Sequence, residues 1–355
     1  MNTLEQMIDR GHERVCFHVD QATGLRAIIA IHSTVLGNAL GGTRRWHYAT
    51  EADALYDVLR LSEGMTYKAA CAGLTMGGAK SVILLPSHGQ AGTEAEARAM
   101  GRFVDTFNGA YIAAEDVGVN TQFVDWMAAE TRHVMGGETV STGGDPSPFT
   151  ARGVFNGMKA CLAHLGRPLD FAGVTVAIQG VGSVGHHLAT MLEDVGASIV
   201  AADISERNLD RLRETVPGAQ IVAPETILTT PCDILAPCAL GGVIDGNLAA
   251  RLRCAILCGA ANNILVDPDE DAVLLRNAGV LYAPDFVVNA GGLIELAGLH
   301  LGMTRAELDA KNDEIEATTR EILARGDANT STHAAAVALA KRRIADAAKE
   351  KVHAG

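Results

Sequence analysis

Val174-Thr175-Val176-Ala177-Ile178-Gln179 runs directly into Gly180-Val181-Gly182-Ser183-Val184-Gly185, and His186-His187-Leu188-Ala189-Thr190-Met191-Leu192 continues at helical spacing. The first six residues read as a buried strand, and the glycines follow as GxGxxG in a strand, turn, helix setting. Gly180 permits the tight turn, Gly182 lets a pyrophosphate approach the backbone, and Gly185 lets the helix pack close to the strand. Ser183 and Val184 stand at the start of that helix, where free N–H groups and the helix dipole favour an anion. A second apolar run, Ser198-Ile199-Val200-Ala201-Ala202, ends at Asp203, at the distance from Gly180 expected of an acid that binds adenine-ribose hydroxyls. Its carboxylate would repel the additional phosphate of NADP, so the expected cofactor is NAD, with Arg207 and Arg211 nearby pulling the other way. The alternative is a structural βα turn that the glycines merely tighten.

Outward from this segment the alternation repeats, with strands near 174–179, 198–203, 232–236, 254–258 and 280–284. That order describes an α/β fold with a doubly wound parallel sheet. Before it, a helix is expected from Thr150 to about Leu165, and after it two long helices, Arg305 to Arg325 and Thr332 to Lys349. The N-terminal part reads as a hairpin, Arg14 to Asp20 and Leu25 to Ser33 around Gln21-Ala22-Thr23-Gly24. Helices at Thr50 to Gly64 and Glu94 to Asn108 follow, with strands at Ser81 to Leu85 and Ala110 to Ala114. The turn-rich stretch Ser141-Thr142-Gly143-Gly144-Asp145-Pro146-Ser147-Pro148 is the expected boundary. Two domains result, 1–143 and a Rossmann-type 144–330, with the C-terminal helix, 331–355, packing back on the first.

Composition fits a soluble enzyme. A chain of 355 residues has ample length for two cores. Its net charge of −13, with no basic stripe, argues against nucleic acid as a partner. No apolar run approaches the roughly 20 residues of a membrane span. The N-terminal residues read as a helix capped by Thr3 and Gln6 rather than as a signal peptide. Seven cysteines, Cys16, Cys71, Cys161, Cys232, Cys238, Cys254 and Cys258, are odd in number and lack metal-ligand spacing. Reduced thiols in a cytoplasm are expected, with no metal site.

Chemistry points to Lys68, in Met65-Thr66-Tyr67-Lys68, and to Lys80, in Gly77-Gly78-Ala79-Lys80-Ser81-Val82-Ile83-Leu84. A lysine embedded in apolar, glycine-rich sequence is either paired or working. Burial and a cationic neighbour both help an amine lose its proton, which makes a base near neutral pH. The glycines before Lys80 would let a ligand come close. The structural alternatives are an ion pair of Lys68 with Glu63 or Asp116, a similar pair for Lys80, and a turn through Gly118 capped by Asp116.

Together these segments resemble the Glu/Leu/Phe/Val amino acid dehydrogenase superfamily, nearest the leucine and valine (branched-chain) types. The resemblance spans essentially the whole chain. It is carried by Gly41-Gly42-Thr43-Arg44, Gly64-Met65-Thr66-Tyr67-Lys68, Gly77-Gly78-Ala79-Lys80, Glu115-Asp116-Val117-Gly118, Asp145-Pro146-Ser147-Pro148-Phe149-Thr150, Ala236-Pro237-Cys238-Ala239-Leu240-Gly241-Gly242, Gly259-Ala260-Ala261-Asn262-Asn263, and Tyr282-Ala283-Pro284-Asp285 through Asn289-Ala290-Gly291-Gly292. It implies an N-terminal substrate and oligomerisation domain, a Rossmann NAD-binding domain, and a homo-oligomer, either a dimer or a larger even assembly.

By the same resemblance, Lys68 holds the substrate carboxylate and Lys80 activates water for attack on an imine carbon. Asp116 exchanges protons with the substrate amine, and Glu115 beside it is a structural partner. Thr150 contacts the nicotinamide amide and Asn262 the substrate or nicotinamide. Gly41 and Met65 join the substrate site, and Cys238 and Ala239 the cofactor site. The implied reaction is oxidative deamination of an amino acid to a 2-oxo acid and ammonium. A lysine and a carboxylate perturbed in opposite directions would divide its proton transfers.

Leu40 and Leu296 correspond to the positions where glutamate enzymes bind the distal carboxylate, so glutamate is not the expected substrate. Leu40, Ala114, Leu293 and Leu296 would instead accept an aliphatic side chain, that of leucine, valine or isoleucine. Leu293 and Leu296 replace common valines and Glu295 a common amide, while Leu85 precedes Pro86 where a polar residue is usual. An aromatic substrate such as phenylalanine is the nearest alternative. A non-catalytic NAD-binding regulator and a 2-hydroxy acid dehydrogenase are more distant ones, and no histidine sits in the motif that the latter needs. His186 and His187 are expected to be partly exposed helix residues rather than cofactor contacts.

Overall fold

The computed structural model describes residues 2–138 and 145–354. The hairpin forms over the expected residues: β1 (Arg14–Asp20) pairs antiparallel with β2 (Leu25–Ser33), and Asp20 Oδ1 accepts from the backbone of Ala22 and Thr23 in the turn. Ahead of it lies α1 (Thr3–Arg10), capped by Asn2 and Glu5 rather than by Thr3 and Gln6. Asn2 takes the extended N-cap position, so the box starts one residue earlier than expected.

A strand absent from the expectations, β3 (Ala39–Trp46), follows. It runs parallel to both β4 (Gly77–Leu84) and β5 (Tyr111–Ala114), giving a five-stranded sheet of order β1-β2-β4-β3-β5. Between β3 and β4, α2 (Glu51–Cys71) continues past Gly64 and carries Met65 and Lys68 in its last turns. Two further helices, α3 (Glu94–Asp105) and α4 (Thr121–Ala128), complete this part of the chain.

The sheet is covered on both faces, which explains why β2 is almost uniformly apolar. Ile28, Ala30 and Val82 pack with Leu55, Val58 and Leu59 of α2, whereas Ile29, Ile31, Ala79 and Ile83 pack with Met100, Phe103 and Phe123 of α3 and α4. Each of the larger side chains, fully buried, contributes about 1.5–3 kcal/mol. Alternation along β4 then puts Gly78, Lys80 and Val82 on the α2 side. The strand begins four residues earlier than expected, so Lys80 lies inside it and is buried.

Chain packing separates two units, one ending before Asp145 and resuming from Ala340, the other Asp145–Leu339. Of the expected boundary, Ser141–Gly144 lie outside the described residues. Asp145–Pro148 open the second unit, in which α5 (Ser147–His164) begins three residues before the expected Thr150, with Pro148 in its first turn.

Its sheet comprises β6 (Thr175–Gln179), β7 (Ser198–Ala202), β8 (Gln220–Ile221), β9 (Ile234–Pro237), β10 (Ile256–Leu257) and β11 (Leu281–Tyr282), in the order β11-β10-β9-β6-β7-β8, every pair parallel. Helices α6 (Ser183–Asp194), α7 (Glu206–Thr215), α8 (Gly246–Ala249), α9 (Pro268–Asn277), α10 (Asp285–Val288), α11 (Gly291–His300) and α12 (Arg305–Arg325) connect or cover it. The core is built from Val176, Ile178, Leu188, Leu192, Ile234 and Ile256 with Val154 and Met158 of α5. The chain closes with α13 (Thr332–Ala354). In the first unit, Arg343 of this helix donates to the carbonyls of Ala70 and Cys71 at the end of α2. No helix among the described residues is long and apolar enough to cross a membrane.

Candidate active site

In the first unit, β3 lies between β4 and β5 and is held there by glycines. A Cβ on Gly41 would overlap the Ala79 carbonyl of β4, and one on Gly42 would come 2.9 Å from the Asp116 Cβ and overlap the Glu115 carbonyl. Leu40 pairs with Gly78 and Ile112, Gly41 with Ala113, and Gly42 with Ala114, so Leu40, Gly41, Ala114, Lys80 and Asp116 gather at neighbouring strands. Leu40 is buried, Ala114 half-buried, and Met65 and Lys68 half-buried on α2. The glycines before Lys80 serve a purpose other than the expected one. A Cβ at Gly77 would strike the Ser33 carbonyl and one at Gly78 the Thr66 backbone, so both make room for protein, not for ligand.

Lys80 Nζ lies 2.7 Å from Asp116 Oδ2, and Arg44 Nε donates to the same oxygen at 3.1 Å. Arg44 Nη1 donates to Asp57 Oδ2 at 3.0 Å. Tyr48 Oη donates to that oxygen at 2.8 Å, and Arg60 Nη2 to Asp57 Oδ1 at 3.0 Å. Burial pushes the Lys80 ammonium toward losing its proton, against the pull of Asp116. Burial also works against the Asp116 carboxylate, but Lys80 and Arg44 outweigh it and hold the group at about 2. The pair is therefore shifted in one direction, not in opposite directions. Burial is the main reason for Lys80, with Arg44 adding to it, whereas the two cations Lys80 and Arg44 together draw Asp116 down.

Of the structural alternatives, the ion pair for Lys80 is formed, with Asp116. Glu63 is engaged by Arg10 at 3.0 Å and by the Tyr67 hydroxyl at 2.9 Å. The Asp116 carbonyl closes the turn to Val119 N at 2.9 Å, while its side chain is turned to Lys80 and Arg44. Glu115 accepts from Gly137 N at 3.0 Å. The Leu85 carbonyl, ahead of Pro86, accepts from His47 Nδ1 at 2.9 Å.

In the second unit the glycine segment leaves β6 at the point where strand order reverses, with β7 on one side and β9 on the other, which is where doubly wound sheets bind ligands. Gly180 has φ +88°, and a Cβ on it would come 2.6 Å from the Ala239 Cβ. A Cβ on Gly185 would overlap the Gly180 carbonyl, whereas nothing lies within 4 Å of the Cβ position of Gly182. Gly182 caps α6 with no side chain across its N–H groups, and Ser183 is exposed. This open, uncapped backbone fits a dinucleotide pyrophosphate.

Asp203, half-buried at the end of β7, accepts from Val181 N and Ser205 N, both at 2.8 Å, and from Asn208 Nδ2 at 3.2 Å. Arg211 donates to the carbonyls of Val181 and Gly182 at 3.1 and 2.9 Å, and Arg207 is exposed. His186 pairs with Thr215 Oγ1 at 2.9 Å and, like His187, is partly exposed.

Cys238, Ala239 and Asn262 follow β9 and β10 at the same end of the sheet. Burial pushes the Cys238 thiol up to about 12, so it is no nucleophile. Asn262 Oδ1 accepts from Asn289 Nδ2 at 2.8 Å, and Asn289 also reaches the Ala260 carbonyl at 3.1 Å. Thr150 bonds the Pro146 carbonyl at 3.1 Å and abuts Gly292, so it lies at the start of α11, which carries half-buried Leu293 and Leu296. Glu295 between them is buried and takes Arg305 Nη1 at 3.1 Å. All seven cysteines are free. No cluster of metal-ligating side chains occurs among the described residues.

Sequence alone does not single out Arg44, Asp57 or Asn289. Arg44 and Asn289 lie inside the segments Gly41-Gly42-Thr43-Arg44 and Asn289-Ala290-Gly291-Gly292, so a charged or amide residue beside paired glycines is the available signal.

The chain is similar to known proteins over most of its length. A profile of the Glu/Leu/Phe/Val dehydrogenase dimerisation domain matches residues 12–133, and one of glutamate/leucine/phenylalanine/valine dehydrogenase matches 145–208 and 202–351. The leucine dehydrogenase of Geobacillus stearothermophilus is 41% identical over 97% of this chain and 94% of its own. The valine dehydrogenase of Streptomyces virginiae is 43% identical over 98% of both. The crystal structure of L-tryptophan dehydrogenase from Nostoc punctiforme superposes with a TM-score of 0.85 at 36% identity, covering 98% of this chain and 99% of that one. With its glycine turn, its buried lysine and two matching domain profiles, the chain belongs to the Glu/Leu/Phe/Val dehydrogenase family, whose chemistry uses a nicotinamide dinucleotide.

Proposed function

We propose that the protein carries out reversible NAD-dependent oxidative deamination of a branched-chain L-amino acid, leucine, valine or isoleucine, to its 2-oxo acid and ammonium. The buried Lys80 paired with Asp116 is the observation that carries this reading, because it supplies a lysine poised to lose a proton beside a carboxylate. Gly180, Gly182, Ser183, Val184 and Gly185 hold the pyrophosphate, Asp203 the ribose, and Thr150, Cys238, Ala239 and Asn262 the nicotinamide end. NAD held by these residues would supply the acceptor for the hydride of the substrate α-carbon.

Lys68 holds the α-carboxylate as a point charge with three donors. Lys80, neutral, takes a proton from water as its oxygen bonds to the imine carbon. Asp116, having taken a proton from the substrate ammonium before the hydride leaves, returns it to the amine; as the C–N bond breaks, the carbinol hydroxyl proton leaves with the ammonia, giving the 2-oxo acid and ammonium. Leu40 and Ala114 of the first unit are apolar, as are Leu293 and Leu296 of the second, and none offers a charge to a second carboxylate, whose desolvation would cost several kcal/mol. Apolar contacts separate substrates differing by one methylene by only about 1–3 kcal/mol, so activity should extend across the aliphatic series.

The carboxylate of Asp203 favours NAD over NADP. The match to a dimerisation domain supports a homo-oligomer, a dimer or a larger even assembly, and the free thiols suit a reducing cytoplasm.

NADH formation at alkaline pH with leucine, valine, isoleucine, phenylalanine, tryptophan and glutamate tests the reading. The highest kcat/KM is expected on an aliphatic substrate. A preference for phenylalanine or tryptophan, toward which the L-tryptophan dehydrogenase neighbour points, would overturn the substrate assignment. No turnover on any would overturn the activity.

A further inference from the structure

We propose that Arg44 is a positioning residue for this reaction: it supplies the permanent positive charge that keeps Asp116 ionised and paired when Lys80 gives up its proton. The inference rests on the reading of Lys80 as the base. A lysine base must be neutral to act, yet the partner of Lys80 is a carboxylate 2.7 Å away with only 19% of its side chain exposed. Taking the charge from one member of a buried pair leaves the other uncompensated, which is strongly unfavourable. By itself the Lys80–Asp116 pair would resist the deprotonation that catalysis requires.

Arg44 removes that obstacle. Its Nε binds the same Oδ2 at 3.1 Å, and a guanidinium does not deprotonate in a protein. Burial works against its charge, but Asp116 and Asp57 outweigh it and hold the group more firmly cationic.

Charge balance across the cluster points the same way. Lys80 on β4, Arg44 on β3 and Arg60 on α2 are three cations facing two carboxylates, Asp116 after β5 and Asp57 on α2. With Lys80 protonated one positive charge is unmatched, and with Lys80 neutral the cluster is balanced. Tyr48 donates to Asp57, and Tyr111 of β5 bonds the Gly41 carbonyl and Ser81 on the opposite face of the sheet; burial holds both phenols protonated. The proton that this cluster sheds is therefore that of Lys80.

The test is the acid limb of the kcat–pH profile with the purified full-length enzyme. Removing a neighbouring cation raises an amine pKa, so Arg44→Gln should move the limb up by about one pH unit or more. The rate near neutrality would fall at least about tenfold while the alkaline plateau is kept. Arg44→Lys, which restores a charge, should return the limb toward its original position. Asp57→Asn adds to the unmatched positive charge and should move it down.

A loss in Arg44→Gln that is equal at every pH, with the limb in place, overturns the proposal. If Arg44→Gln fails to fold, Asp57→Asn decides, and a limb that stays or moves up overturns it. Lys80→Ala separates the two levels: retained turnover would sink the base assignment, whereas lysine-dependent turnover with an unmoved limb sinks only the role of Arg44.

Discussion

Gly78 of β4 and Thr66 of α2 are packed backbone to backbone, so that a Cβ on Gly78 would overlap the Thr66 nitrogen, Cα and Oγ1. Lys80 is two residues along the strand from one, and Lys68 two residues along the helix from the other. The distance between the two lysines is thus set by a contact with room for hydrogen only. Backbone cannot give way as the end of a flexible side chain can. Gly78→Ala should lower stability by about 3 kcal/mol or more, the upper part of the range for overpacking. Denaturant unfolding of the variant checks this, and a loss below about 1 kcal/mol would mean that the strand and helix can separate at small cost.

Lys80→Ala should lower kcat by about 10²–10⁴-fold, the usual contribution of a general acid–base group. Lys80 belongs to the first unit and the glycine turn to the second, so NADH affinity, read by fluorescence titration, should stay close to wild type. Near-normal turnover would remove Lys80 from the mechanism. Weakened NADH binding together with lost turnover would point instead to a folding defect.

How far these features can be read from sequence depends on how local their causes are. The turn from Gly180 to Gly185 was legible because each glycine answers a constraint within six residues: a positive φ, an open approach, a helix resting on its own strand. The hairpin was legible for the same reason. β3 was not, because Gly41 and Gly42 are poor strand residues and take strand form only between β4 and β5. Gly64 looked like a helix end, yet α2 runs through it to bury Ala69, Ala70 and Cys71. Lys80 and Asp116 were nameable from their motifs, but Asp57 joins them only through the fold, on a helix face that sequence alone does not aim at β3.

Asp203 does two things at once. It accepts from Val181 N and Ser205 N, which fixes the glycine turn, and it stands where the ribose is proposed to bind. A hydrogen bond to a charged group is worth about 1.5–3 kcal/mol, so Asp203→Ala should cut the ratio of NAD to NADP efficiency by about tenfold or more. Part of any loss would come from the freed turn, which Asp203→Asn distinguishes because its amide oxygen can still accept from Val181. The ratio should fall in both variants, whereas overall efficiency should suffer more in the alanine. An unchanged ratio in both would mean that another residue reads the ribose.

His12 sets a limit on stability in acid. Its Nε2 lies 2.8 Å from Ser62 Oγ and 3.2 Å from the Leu59 carbonyl, and its ring meets the edge of His32 with centroids 4.8 Å apart. Burial first, and then His32, depress His12 to about 3, whereas the unfolded chain titrates near 6.5. Between those values the unfolded state binds a proton that the folded state refuses. Stability therefore rises with pH through this window and is lost progressively as pH falls below about 6.5. Glutamine at position 12 could keep an amide donor toward the Leu59 carbonyl but cannot titrate. His12→Gln should cost about 1 kcal/mol near pH 7, where one neutral contact is replaced by a poorer one. It should also lose less stability than wild type between pH 7 and pH 4, so that the two melting curves converge or cross in acid. Parallel losses in the two proteins over that interval would show that the proton taken up on acid unfolding goes elsewhere, with His32, likewise depressed by burial, the next residue to replace.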